Sequence, residues 1–286
     1  MLPAPGTRRL STIWLRRSLV AVVATCCMIA QSLLANTDDP DPWQAAGRLD
    51  YTTASNRLAQ LIKQHPEDNR VACAYAASLL VREPVTQVQV EQSRHILASV
   101  LARTHAQEST YRPLAIYLLA RIAHDHADPP DFGVAQSCYE QLRREYPQHP
   151  LADEAAVHLG VMRAFSPSTV HSPAAVAILE QLLQSVSTAS ARRELHHLLA
   201  YLHWHLRHDV AAALPHYIAC REIGFETPYR DSEIDLTIAG LAEELGQDDV
   251  AARHYLAFAG TNPTDARTQT ARQLAHEAQL RVGVGK

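Results

Sequence analysis

One pattern constrains this chain more than any other: a small residue, a larger apolar or aromatic residue four later, and another apolar residue three after that. It occurs as Ala54, Leu58, Leu61; Ser93, Leu97, Val100; Ala135, Tyr139, Leu142; Ala175, Leu179, Leu182; Ala213, Tyr217, Cys220; and Ala251, Tyr255, Phe258. The leading residues are 39, 42, 40, 38 and 38 positions apart. Residues separated by four and three share one helix face, so each triplet reads as the buried stripe of a helix. Pro66, Pro147 and Pro263 each stand five residues after a triplet. Proline cannot continue a helix and restricts the residue before it.

A second helix is expected before each of these. The signals are Ala72, Tyr75, Ala76, Leu79; Tyr111, Leu114, Ala115, Leu118; Ala156, Leu159, Gly160; His197, Ala200, Tyr201, Trp204; and Ile238, Ala239, Ala242. The chain is therefore expected to be all-α, built from helix–turn–helix hairpins. A hairpin leaves an apolar face that only the next hairpin covers, so several must stack.

These residues resemble the tetratricopeptide repeat (TPR). The best match runs from Leu245-Gly246 through Ala251 and Tyr255 to Pro263, and Leu159-Gly160 resembles the usual first-helix pair. The resemblance covers roughly residues 43–282 and implies a TPR-like α-solenoid of about six hairpins with a C-terminal capping helix over Thr264–Val282. Tyr139–Pro150, followed by Ala152-Asp153-Glu154-Ala155, is similar to bacterial envelope TPR proteins, among them outer-membrane assembly and periplasmic cell-division coordinator proteins. The implied function is non-catalytic: a concave face holding a peptide or helix of another protein. By the same resemblance, the face is lined by Arg70, Arg112, Glu194, His197, Tyr201, Trp204 and His205.

Residues 1–35 read as an address. Arg8, Arg9, Arg16 and Arg17 are followed by an apolar run from Leu19 to Ala35, after which residues 36–42 turn acidic and proline-rich. That order fits a secretory signal, with cleavage expected after Ala35 and Ala30 as the alternative. An uncleaved anchor is the rival reading, because this 17-residue run, broken only by Thr25, Gln31 and Ser32, sits at the short edge of a bilayer span; a lipid anchor is the weaker one, since Val23-Ala24-Thr25-Cys26 resembles a bacterial lipoprotein box. The expected location is the periplasm or cell envelope. Removing the segment leaves 22 Lys+Arg against 30 Asp+Glu, a balance of -8. An acidic chain is poorly suited to neutralising nucleic-acid phosphates. Residues 283–286 form a short tail.

Chemistry-bearing motifs are scarce. No phosphate-binding glycine loop, dinucleotide fingerprint or nucleophile elbow occurs, and no cofactor is expected. Cys73, Cys138 and Cys220 read as packing residues. Six histidines crowd residues 196–216. On an unbroken helix His197, Tyr201, His205 and His208 form one stripe, which makes His197, His205 and His208 the alternative, metal-binding reading. The loop His124–Asp131 is oxygen-rich but lacks calcium-loop spacing, and Asp131 is expected to cap the next helix. Ser172 is expected to cap a helix with Pro173 first inside it, and Pro215 to lie in a helix's first turn.

Overall fold

A computed structural model describes residues 41–81, 84–105, 110–225 and 227–284; the proposed leader lies outside the described residues. Among them are thirteen α-helices, two π-helical turns and no strand. The helices are α1 (Pro42–Gly47), α2 (Tyr51–Gln64), α3 (Asn69–Val81), α4 (Gln87–Arg103), α5 (Arg112–Arg121), α6 (Phe132–Glu145) and α7 (Pro150–Ala164). They continue with α8 (Ala174–Gln184), α9 (Ala189–Tyr201), α10 (Val210–Ile223), α11 (Pro228–Glu244), α12 (Asp248–Thr261) and α13 (Thr268–Val284). The chain divides into two compact units, Met1–Ala155 and Ala156–Lys286, and the division falls within α7. In the first, α1 to α6 each pack on the next; in the second, α8 to α13 do the same.

The triplets fall on α2, α4, α6, α8, α10 and α12, and all but Leu61 of their members are buried. The small leading residue is withdrawn from solvent in every case. Partner helices supply Ala72, Ala76, Ala115, Ala156, Ala200, Ala239 and Ala242, likewise buried. Close helix approach through alanine, with Tyr139, Leu97, Leu179 or Phe258 filling the space beside it, is what the spacing demands.

Helix ends follow local chemistry. Asp50, Asp131 and Asp209 cap α2, α6 and α10 by accepting the amides of Thr53, Val134 and Ala212 at 2.9–3.0 Å. Thr86 and Gln89 form a reciprocal capping box on α4. The three prolines that follow triplets act alike. His65, Tyr146 and Asn262, each just before a proline, take φ of -131°, -133° and -124°. Each donates its amide to the carbonyl of the triplet's last residue, Leu61, Leu142 or Phe258. The residue before proline is driven out of the helical region, so the helix stops there.

At Gly160 of α7, an added Cβ would meet Leu179 Cδ2 at 3.0 Å and Leu195 Cδ2 at 3.3 Å. Glycine is the residue that lets α7 lie this close to those two leucines.

Both π turns occupy the same place in the repeat. α5 continues as the turn Ile122–His126, and α9 as Leu202–Leu206, 80 residues later. The amide of Asp131 donates to the carbonyl of Ala123 at 2.8 Å, and that of Asp209 to the carbonyl of His203 at 2.9 Å. The two capping aspartates share backbone angles to within a degree, -100°/83° and -101°/84°.

Several local expectations are corrected. His124 and Asp125 belong to a π turn rather than a loop, because the helix widens instead of ending. Ser172 does not cap α8; its hydroxyl donates back to the Thr169 carbonyl, and α8 begins at Ala174 without a side-chain cap. Pro215 lies inside α10, beyond its first turn. Pro215 and Ala211 are both exposed, so the helix bond that proline's missing amide forgoes is lost where solvent is at hand. The closing helix starts at Thr268, not Thr264, after a turn in which the Thr268 hydroxyl donates to the Asn262 carbonyl.

Candidate functional site: the aromatic and histidine faces of α9 and α10

The residues expected to line a binding face separate into two groups. Arg70 and Arg112 lie in the first unit and serve their own neighbours. The Arg70 guanidinium sits 4.6 Å above the buried Trp43 ring. Arg112, at the start of α5, donates through Nη1 to the carbonyls of Leu101 and Thr104 at 2.9 and 2.8 Å, closing the last turn of α4.

The other five lie on α9 and its π turn. Glu194 accepts from Arg193 Nε at 3.2 Å, and both side chains are largely withdrawn from water. Arg193 also donates to the Gly224 carbonyl at 2.9 Å and covers the Phe225 ring, which Arg230 also faces at 4.4 Å. His197 meets the Tyr217 ring edge-on with centroids 5.8 Å apart. Burial, with the nearby Arg230, pushes its pKa down to about 4, so this imidazole is neutral at pH 7.

Tyr201, Trp204 and His205 form a half-exposed ring cluster. Tyr201 and His205 have centroids 4.7 Å apart, and Trp204 and His205 4.2 Å. Phe165 packs on Tyr201 at 6.0 Å, and Tyr217 on Trp204 at 5.9 Å. The inner edges of Tyr201 and Trp204 are thus held in place, while His205 is open to solvent. Rings fixed on one side and wet on the other present apolar area at little conformational cost.

His197, His205 and His208 do not make a metal site. Among the described residues no three His, Cys, Asp or Glu side chains are arranged to hold a metal ion. His208 takes φ of 56° beyond the helix end, off the stripe that the spacing assumed. A different trio comes together instead. His196 and His216 place their Nδ1 atoms 3.0 Å apart, and the His203 ring lies nearly parallel to that of His216, with centroids 5.8 Å apart. Burial lowers the pKa of all three, that of His216 to about 4. The seven-residue step from His196 to His203 was the available signal, since two helical turns return to one face.

Two buried polar networks also escape sequence reasoning. In the first unit Arg121, 1% exposed, binds Asp125 and Tyr117. Asp125 is therefore held in an ion pair and Asp131 in a helix cap, which accounts for two oxygens of the loop considered for calcium. In the second unit buried Asp235 accepts from Arg221 Nε at 2.9 Å and lies 2.8 Å from His254 Nδ1, joining α10, α11 and α12. Cys73 and Cys220 are buried thiols, as packing residues should be, whereas Cys138 is half-buried. The Cys220 thiol donates to the Arg193 carbonyl, and burial raises its pKa to about 12.

No protein-family model matches the chain, and no curated protein matches it. Among the described residues no helix is long and apolar enough to cross a membrane.

Proposed function

We propose that this chain is an exported, non-catalytic scaffold of the TPR type, which holds a peptide or helix of another envelope protein. Six successive helix pairs followed by a last helix fit such an array, with the small–large–apolar triplet buried in the second helix of each pair. The observation that carries the functional reading is the ring cluster of Tyr201, Trp204 and His205. It is braced from within by Phe165 and Tyr217 and remains partly open to solvent. Aromatic residues are enriched where partners bind tightly, because they bury large area while losing few torsional freedoms. His197 and Glu194 flank the cluster on α9 and would adjust its polarity toward the partner.

The test is a crosslinking pull-down from envelope fractions, comparing the wild-type chain with Trp204→Ala and His205→Ala. Capture of a specific envelope protein should fall at least tenfold in both variants, with the helical circular dichroism unchanged. Leu256→Ala, an exposed site on α12, should capture normally. Equal capture by all three variants would end the surface assignment. N-terminal sequencing of the mature protein checks export, with Asn36 expected as the first residue.

A further inference from the structure

His196, His203 and His216 come from α9, its π turn and α10, on residues that the binding surface does not use. The His196 and His216 ring centroids are 5.3 Å apart while their Nδ1 atoms are 3.0 Å apart. The difference, 2.3 Å, is about twice the distance from an imidazole's centre to its ring atoms. Both nitrogens therefore lie close to the line joining the rings, and they face each other head-on. Two lone pairs cannot face each other with nothing between them. One proton satisfies the pair: one ring donates Nδ1–H and the other accepts.

The surroundings suit a positive centre of low charge. His203 Nδ1 is withdrawn from water and has no hydrogen-bond partner. The charged groups near the trio are Arg192 beside His196, and Arg207, Asp209 and Glu180 around His203. Two arginines against two carboxylates leave the surroundings close to neutral.

We propose that His196 and His216 form a two-coordinate site for cuprous ion. Cu(I) is a closed-shell monovalent cation that accepts two opposed imidazole nitrogens without a charged ligand. Metal–nitrogen bonds of about 2.0 Å laid end to end require about 4 Å between the nitrogens. The pair must then open by about 1 Å, which side-chain torsions on two helices can supply. Zinc is disfavoured, because it requires four ligands whose lone pairs converge on a tetrahedron. Binding conserves protons: the ring that held Nδ1–H moves it to Nε2, so both neutral imidazoles keep one proton and offer Nδ1 to the metal.

The test titrates the full chain with Cu(I) against a colorimetric chelator under anaerobic, reducing conditions. His196→Ala/His216→Ala should bind one equivalent fewer than wild type, while His197→Ala/His205→Ala binds the full number. The cysteine thiols also take Cu(I), but they are common to all the chains and cancel in the difference. An undiminished stoichiometry in His196→Ala/His216→Ala overturns the site. Should that variant lose its helical circular dichroism, ring-¹⁵N NMR of the wild-type chain decides. The Nδ1 signals of His196 and His216 should move with excess Cu(I) and stay in place with Zn²⁺; unmoved signals with copper overturn the site. Partner capture is a separate readout, so either reading can fail without the other.

Discussion

Arg121 places Nε 2.5 Å from Asp125 Oδ2, and the two side chains are 1% and 10% exposed. Arg121 Nη1 also donates to Tyr117 Oη at 3.3 Å, and burial raises the pKa of that phenol to about 12. The pair joins the end of α5 to its π turn. A buried ion pair contributes modestly compared with an apolar replacement, yet removing one partner strands the other charge. Asp125→Asn should therefore destabilise the chain by about 3–5 kcal/mol in urea titration. Arg121→Met/Asp125→Leu should recover most of that loss. A loss under about 1 kcal/mol in the single variant would show that Asp125 does not hold the buried charge.

Two helical glycines should respond in opposite directions. Gly160 has leucine side chains at 3.0–3.4 Å from a would-be Cβ, whereas Gly240 on α11 has nothing within 4 Å. Gly160→Ala should cost about 1–3 kcal/mol, because three leucines must shift in a packed region. Gly240→Ala should stabilise by about 0.5–1 kcal/mol, because alanine loses less backbone freedom in a helix. Denaturant midpoints of the two variants decide the matter; a Gly160→Ala variant as stable as wild type would mean that α7 has room to spare.

The repeat was legible because its information is local. A small residue, a large one four later and an apolar one three later define one helix face whatever lies opposite. A proline marks the stop because its effect is on the adjacent residue, as His65, Tyr146 and Asn262 show. The π turns were not legible, since no side-chain rule marks the switch to a wider turn. The left-handed backbone at His208 takes that residue off the stripe expected for His197, His205 and His208, and no metal group forms there among the described residues. The His196–His216 pair depends on how α9 and α10 are set against each other, which one helix's spacing cannot supply. Pro215 is legible only as a disruption; its tolerance rests on both it and Ala211 facing water.

Position within the α12 face should dominate the cost of truncation. Phe258 closes a triplet and is fully buried, with the Arg267 guanidinium 5.1 Å above its ring. Leu256, two residues earlier, is 46% exposed. Phe258→Ala should cost about 3–5 kcal/mol, and Leu256→Ala under about 1 kcal/mol. Similar costs in urea titration would mean that α12 is rotated from the orientation described.

Acid should weaken the second unit through its histidines. Burial is the first cause that lowers the pKa of His197 and His216, each to about 4; Arg230, His205 and Arg193 add to it at His197, and His196 and His203 at His216. The unfolded chain returns both to about 6.5. Between those values the unfolded state holds more protons than the folded one, so stability rises with pH. It is fully present above about pH 6.5 and is lost as pH falls toward 4. The head-on Nδ1 pair adds a geometric reason, because doubly protonated His196 and His216 would point two N–H groups at each other. The urea midpoint of wild type should fall steeply between pH 6.5 and 4. His216→Asn should flatten that slope by about one proton. Parallel slopes for wild type and His216→Asn would remove His216 as a source of the acid sensitivity.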